Sequence, residues 1–252
     1  MAMSRAAARS APPRRARRAA AASTPLAAGG GGVSPARARA PRPRVVLLHG
    51  KGGAGAEFAA SLAPLCRLLP GARWEAPDAP LRLSPSSEER AAFAWWAAAG
   101  GGRSYEADAW AGGDAALDAA AAACEGAQVV MGHSQGAMLL GVLLAQRRLG
   151  GVECAILSGA AWPRPYASSV EANVIERLHP TRGKLYTGPA ILHTLSRRDA
   201  VNPYAQGVQL AAALGGDIME HGGGHVVPVR DLGGEIADWV RAHSAADYGV
   251  PV

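Results

Sequence analysis

Gln128-Val129-Val130-Met131-Gly132-His133-Ser134-Gln135-Gly136-Ala137-Met138-Leu139-Leu140-Gly141-Val142-Leu143-Leu144-Ala145 decides the fold. Its first residues read as a short buried strand, and the run after Gly136 reads as a helix apolar on nearly every face. Between them, five residues spell G-x-S-x-G, with one serine on a tight turn. A strand, such a turn and a helix in that order form a nucleophile elbow. The turn crowds the neighbours of Ser134, so small residues are required at 132 and 136. It also lifts the serine hydroxyl to the N-terminus of a helix, where backbone N–H groups and the helix dipole favour a developing oxyanion. A plain Gly-Ser turn between two core elements would give no reason for the other groups described below.

Outward from this stretch, apolar runs alternate with helical periods. Arg44–His49 is the first strand, bounded by Gly50. A helix from about Ala54 to Leu69 carries Phe58, Leu62, Leu65 and Leu69 on one face. Residues 77–104 form a long surface loop broken by a short helix around Phe93–Trp96, and a helix over Asp114–Cys124 leads into the elbow strand. Cys154–Ser158 is a strand, followed by an irregular stretch to Gly188 and a strand over Ala190–Leu195. A helix over Pro203–Leu214, a last short strand Asp217–Glu220 and a closing helix Leu232–His243 complete the order. Strands alternating with helices imply an α/β fold, mainly a parallel sheet with helices on both faces. A length of 252 residues is compatible with one such domain.

A serine at its ordinary pKa needs a base, and the base needs an orienting carboxylate. Asp199 lies in the loop just past the strand Ala190–Leu195, where the groups of open α/β sheets collect. It could instead cap the helix near Pro203 or pair with Arg197 or Arg198, but it sits a few residues early for a cap. His225 ends the turn His221-Gly222-Gly223-Gly224-His225 after the last strand, and three glycines let that turn approach neighbouring loops. His221 competes for the same role but abuts the strand. His49, His133 and His193 adjoin strands and could support loops by side-chain hydrogen bonds; none has metal-ligand spacing. For the oxyanion, the backbone N–H of Gln135 is one donor, and that of Lys51, with Gly52 next, is the other, in the loop His49-Gly50-Lys51-Gly52-Gly53. That loop fits neither the spacing of a P-loop nor a dinucleotide fingerprint.

Charge divides the chain. Ten arginines and no acidic residue fall within residues 1–44, whereas from Val45 onward 16 basic and 20 acidic residues give a net −4. Residues 1–44 are Ala, Arg, Pro, Ser and Gly, too poor in large apolar groups to fold alone. They read as a transit peptide and linker ahead of a domain over 45–252, addressed to the chloroplast, with mitochondrion or cytoplasm as alternatives. A nucleic-acid-binding arm is the rival, but it lacks an aromatic stacking partner, since the first aromatic residue is Phe58. Cys66, Cys124 and Cys154 are odd in number and widely spaced, which reads as reduced core residues of an intracellular protein without a zinc site. No membrane span is expected.

Val46-Leu47-Leu48-His49-Gly50, Trp95-Trp96 with Arg103-Ser104-Tyr105-Glu106, Gly132–Ala137, Leu157-Ser158-Gly159, Asp199-x-Val201 and Gly223-Gly224-His225-x-x-Pro228 stand in one order. In these the chain resembles the family of serine hydrolases known by the FSH domain, a branch of the α/β-hydrolases near the carboxylesterase and phospholipase group. The resemblance covers roughly residues 45–243. It implies an α/β-hydrolase fold, with Ser134, Asp199 and His225 as nucleophile, acid and base. The family often has an aromatic residue where this chain has His133, and larger residues after Leu83 where this chain is rich in alanine. The expected activity is cleavage of a carboxylic ester through an acyl-enzyme, on a small-molecule acyl ester or thioester, with no cofactor, no nucleic acid and no stable membrane insertion. An acyl thioesterase and a small-molecule receptor on the same fold are the alternatives.

Overall fold

The computed structural model describes residues 41–83, 91–178 and 188–250. The segment read as a transit peptide therefore lies outside the described residues up to Ala40. Its last two arginines belong to the folded part. Arg42 donates to the carbonyls of Pro70, Gly71 and Ala72, and Arg44 pairs with Glu75.

Six strands form one sheet: β1 (Arg44–Leu48), β2 (Arg73–Glu75), β3 (Val129–His133), β4 (Cys154–Ser158), β5 (Ala190–Leu195) and β6 (Asp217–Glu220). Their spatial order is β6-β5-β4-β3-β1-β2, and every pairing is parallel. Parallel strands need crossovers, and helices supply them: α1 (Gly55–Ser61), α2 (Ala63–Leu68), α3 (Gly113–Ala123), α4 (Gln135–Ala145), α5 (Ala167–Leu178), α6 (Tyr204–Leu214) and α7 (Gly233–His243). Successive strand residues point to opposite faces, so each strand feeds two cores. Val45, Leu47, Val129, Met131, Cys154, Ile156 and Leu192 pack with Phe58, Leu65, Ile236 and Val240 of α1, α2 and α7. Val46, Leu48, Val130, Ala155, Leu157 and Ile191 pack with Leu117, Val170 and Leu210 of α3, α5 and α6 and with α4. Helix α4 is apolar all round because α3, α5 and α6 cover it on the side away from the sheet.

Several sequence expectations need correction. The single helix over 54–69 is two, broken at Leu62 (φ −92°, ψ 7°) ahead of Ala63-Pro64, since a proline removes an N–H and restrains the residue before it. No helix forms at Phe93–Trp96. Phe93–Ala94 pairs antiparallel with Leu81–Arg82, and Ala97–Ala98 with Trp110–Ala111. Trp96 stacks on Trp110 with ring centroids 3.8 Å apart. The stretch expected to be irregular before Gly188 holds α5, and β2 was not foreseen. The three cysteines are free. Cys124 and Cys154 are buried, and desolvation pushes each thiol up to about 12, but Cys66 is only partly buried. Among the described residues no helix is long and apolar enough to cross a membrane.

The strand order reverses at β1, which has β2 on one side and β3 on the other. Crevices in open α/β sheets lie at such a reversal, beyond the carboxyl ends of the strands. Here that point is flanked by His49-Gly50 after β1 and Ser134 after β3.

Candidate active site

The turn at Ser134 is built by what its neighbours lack. Ser134 has φ 53° and ψ −116°, a left-handed backbone that a residue with a side chain rarely holds. A Cβ on Gly132 would lie 2.5 Å from the Gly136 carbonyl oxygen, and one on Gly136 would lie 2.1 Å from that of Leu48. Neither position admits a side chain. The strained turn is pinned at both ends: Ser134 N–H donates to Ser158 O (3.0 Å) and Met138 N–H to Ser134 O (2.9 Å).

The hydroxyl that this turn exposes meets His225. Ser134 Oγ is 2.9 Å from His225 Nε2, and His225 Nδ1 is 2.7 Å from Asp199 Oδ2. The Asp199 side chain is 4% exposed and that of His225 18%, so the pair is shielded while the imidazole edge stays accessible. With Nδ1–H donating to the carboxylate, Nε2 is left with a lone pair facing the hydroxyl. Asp199 is itself anchored, because its other oxygen, Oδ1, accepts the N–H groups of Val201 and Asn202 at 2.8 Å each. It does not cap α6, whose N-cap is Pro203, and Arg197 pairs with Glu220 at 2.9 Å instead. His221 Nδ1 accepts the Gly223 N–H (3.3 Å) within its own turn.

Four residues that sequence reasoning passed over as site residues hold this chain of groups. Gly159 (φ +57°) lies against it: a Cβ there would sit 3.3 Å from His225 Nδ1 and 3.4 Å from Asp199 Oδ2. Asn202 Nδ2 donates to the Gly159 carbonyl at 2.7 Å, tying the acid loop to the end of β4. Ser196 Oγ accepts the Gly224 N–H (3.1 Å), and Ser158 Oγ donates to the Val226 carbonyl (3.4 Å), which tether the turn on either side of His225. The only sequence signal was Leu157-Ser158-Gly159 as part of the family resemblance.

The histidines next to strands divide. His49 Nε2 accepts the Ala79 N–H (3.0 Å), and His193 Nε2–H donates to the Gly215 carbonyl (3.0 Å), both as expected. His133 does not support a loop through Nδ1, which is buried without a partner. Its ring lies between Phe58 (centroids 6.1 Å apart) and His225 (4.8 Å). Burial first, and then the neighbouring His225, push its pKa down to about 4, so it stays neutral beside the His225 ring.

Two backbone segments meet at this turn, the start of α4 and the loop after β1. Gln135 opens α4, so its N–H belongs to the unpaired first turn of a helix. The loop after β1 passes directly against the serine, since a Cβ on Gly50 would be 3.1 Å from Ser134 Cβ. In that loop the Gly52 N–H is spent on the Phe93 carbonyl (2.8 Å). The Gly52 N–H, the second choice for the oxyanion, is thus already paired within the fold.

The fold is shared with known hydrolases. The chain is similar in structure to the esterase PE8 (20% identity, covering 81% of this chain and 94% of that one, TM-score 0.59). It is also similar to acyl-protein thioesterase 2 of Zea mays (20% identity, 82% and 94% covered, TM-score 0.56) and to a carboxylesterase of Bacillus cereus (17% identity, 80% and 89% covered, TM-score 0.52). At these identities the likeness establishes an α/β-hydrolase fold. No curated protein matches the sequence. A family model described as serine hydrolase (FSH1) matches residues 39–232, so that it spans the sheet, the elbow and both loops carrying Asp199 and His225. The chain belongs to this family of serine hydrolases.

Proposed function

We propose that the protein hydrolyses a carboxylic ester through an acyl-enzyme on Ser134, with His225 as general base and acid and Asp199 as its orienting carboxylate. One observation carries the reading: a single imidazole hydrogen-bonds the Ser134 hydroxyl through Nε2 and the Asp199 carboxylate through Nδ1. In the first step Ser134 Oγ bonds to the substrate carbonyl carbon as its proton passes to His225 Nε2. The carbonyl oxygen becomes an oxyanion facing the N–H groups of Gln135 and Lys51. The tetrahedral adduct then expels the alcohol, which takes the proton from His225, and leaves the acyl group on Ser134. Water repeats the sequence, giving its proton to His225 and releasing the acid.

A thioester would be cleaved by the same atoms, with a thiol leaving in place of the alcohol. The likeness to acyl-protein thioesterase 2 of Zea mays supports keeping that substrate as the second reading. Labelling with a fluorophosphonate, followed by turnover of matched p-nitrophenyl esters and acyl thioesters of increasing chain length, tests both. Ser134→Ala is expected to abolish labelling and to lower kcat by about 10⁴-fold or more. Undiminished labelling of that variant rejects Ser134 as the nucleophile. A protein that binds an ester tightly but does not turn over is a receptor.

The arginine-rich, acid-free residues 1–44 support a second proposal, that they address the protein to the plastid. Fused to a fluorescent reporter in a photosynthetic host, they should deliver it there and be removed. An uncleaved reporter in the cytosol rejects the proposal.

A further inference from the structure

We propose that Trp95, with the side chains of Gln135 and His49, braces the two halves of the oxyanion hole, making these three the positioning residues of the reaction. The inference rests on the hydrolase reading above. The two donors belong to separate pieces of chain, the loop after β1 and the first turn of α4, which touch where Gly50 meets Ser134 and Gly136 meets the Leu48 carbonyl.

The Lys51 donor is fixed from behind. A trans peptide is planar, so the Gly50 carbonyl and the Lys51 N–H point in opposite directions. The Gly50 oxygen is held by His49 Nδ1–H at 2.7 Å and by the Gly53 N–H at 3.2 Å. The His49 tautomer is set in turn by its other nitrogen: Nε2 faces the Ala79 N–H at 3.0 Å and so must be the acceptor, leaving the proton on Nδ1. Burial lowers the His49 pKa and keeps the ring in that neutral form. Releasing the Gly50 oxygen frees this peptide to flip, which exchanges a donor for a carbonyl.

Gln135 does the corresponding work on the helix side. Any residue at 135 would supply the backbone N–H, so the elbow does not ask for glutamine. Yet Gln135 is 2% exposed, and its amide is bonded to the backbone of the segment 93–96. Oε1 accepts the Trp95 N–H at 3.1 Å, and Nε2 donates to the Trp96 carbonyl at 3.2 Å. Trp95 then reaches the other half, its indole N–H donating to the His49 carbonyl at 2.8 Å. Phe93 completes the tie with a reciprocal pair, Gly52 N–H to Phe93 O (2.8 Å) and Phe93 N–H to Gly53 O (2.9 Å). Three of the four residues 93–96 thus bind the helix that carries one donor, the loop that carries the other, or both. Donors fixed in advance stabilise an oxyanion without reorganising during the reaction, which is where most of their effect arises.

The test separates positioning from mere support. Gln135→Met keeps the length and removes the amide's bonds to Trp95, Trp96 and Ser104 Oγ (3.5 Å), and Trp95→Phe removes a single hydrogen bond, that of the indole to His49. Active sites are first titrated to completion with a fluorophosphonate, so that kcat for p-nitrophenyl acetate is counted per competent site. Misplacing a catalytic group by about 1 Å costs on the order of 100-fold, so Gln135→Met should lose roughly 30- to 100-fold in kcat and Trp95→Phe roughly 3- to 10-fold. KM should stay within about twofold, since ground-state contacts are unchanged. Affinity for a short alkylboronic acid, which forms a tetrahedral anion on Ser134, should fall by the same factor as kcat. The shape of the kcat/KM profile against pH should remain that of the wild type, because the His225–Asp199 pair is untouched.

Variants whose kcat per titrated site and boronate affinity both stay within about twofold of wild type overturn the proposal. So does a loss confined to the number of active sites or to KM. If Gln135→Met does not fold, Trp95→Phe decides alone. A wild-type protein that neither titrates nor hydrolyses brings down the hydrolase reading itself, a result distinct from silent variants of an active enzyme.

Discussion

Replacing Asp199 with asparagine changes one atom of the carboxyl group, and the structure dictates how the new amide must sit. Oδ1 accepts two backbone N–H groups, from Val201 and Asn202, at 2.8 Å each. An amide turned to place its NH2 there would face two donors with a donor and lose two hydrogen bonds, each worth about 0.5–1.5 kcal/mol. The oxygen therefore stays on Val201 and Asn202, and the NH2 replaces Oδ2 against His225 Nδ1. That nitrogen must then accept, so the ring proton moves to Nε2, which faces Ser134 Oγ at 2.9 Å. A protonated Nε2 has no lone pair for the serine proton. The expected loss in kcat is on the order of 10⁴-fold, while the fold, with both loop anchors kept, should lose only about 1 kcal/mol for a weakened charge-assisted bond. The assay is kcat with p-nitrophenyl acetate alongside thermal unfolding. Activity above a tenth of wild type in a folded Asp199→Asn protein would refute the reasoning.

Three further outcomes follow from particular contacts. Gly136→Ala places a methyl 2.1 Å from the Leu48 carbonyl oxygen and 2.8 Å from that of His49, backbone atoms that cannot step aside. Overpacking of this kind costs about 1–3 kcal/mol, against a gain of up to about 1 kcal/mol from better helix propensity, so urea unfolding should show a net loss and a net gain would sink the argument. His193 is fully buried, and desolvation lowers its pKa to about 4 despite its bond to the Gly215 carbonyl. The unfolded chain therefore takes up this proton below about pH 6.5 and the folded protein only near pH 4, so stability present above pH 6.5 is lost as the pH falls through that window, by roughly 3 kcal/mol at most. The urea midpoint should decline less steeply over this range in His193→Gln, and an unchanged slope counts against the assignment. The exposed Arg42 guanidinium donates to the Pro70, Gly71 and Ala72 carbonyls at 2.8, 3.0 and 2.9 Å. A chain beginning at Pro41 should be more stable than one beginning at Pro43 by about 1 kcal/mol, and equal melting temperatures would show these bonds to be matched by water.

Strands β1, β3, β4 and β5 were legible because they are buried on both faces, which writes them into the sequence as continuous apolar runs. β2 carries no such signature. It is an edge strand of three residues, Arg73-Trp74-Glu75, none of them buried, and it exists through its register with Arg44–Val46. α5 had a faint signal in the spacing of Val170 and Val174, diluted by Ser168, Ser169 and Asn173, which compete for backbone hydrogen bonds. Phe93-Ala94-Trp95-Trp96 is apolar throughout, and a run that short does not distinguish helix from strand. Its conformation is decided by residues far away: Gly53, Gln135 and the Trp110 ring.

The same division governs the site. Ser134, Asp199 and His225 were readable because each stands at the end of a strand with its own local signature, two of them flanked by glycines. Gly159 and Asn202 were not, because they matter only once β4 and β5 lie side by side, where Gly159 N–H meets Thr194 O at 3.0 Å. Distance along the chain hides such contacts; hydrogen bonding across the sheet creates them. Asp199 shows a further limit. The sequence posed helix cap against partner of a base, as though a carboxylate has one role. The structure separates the two by oxygen atom, Oδ1 closing the local turn and Oδ2 holding the imidazole. The turn is what makes the acid rigid: with Oδ1 tied to two N–H groups, Oδ2 has one direction in which to point, and His225 lies along it.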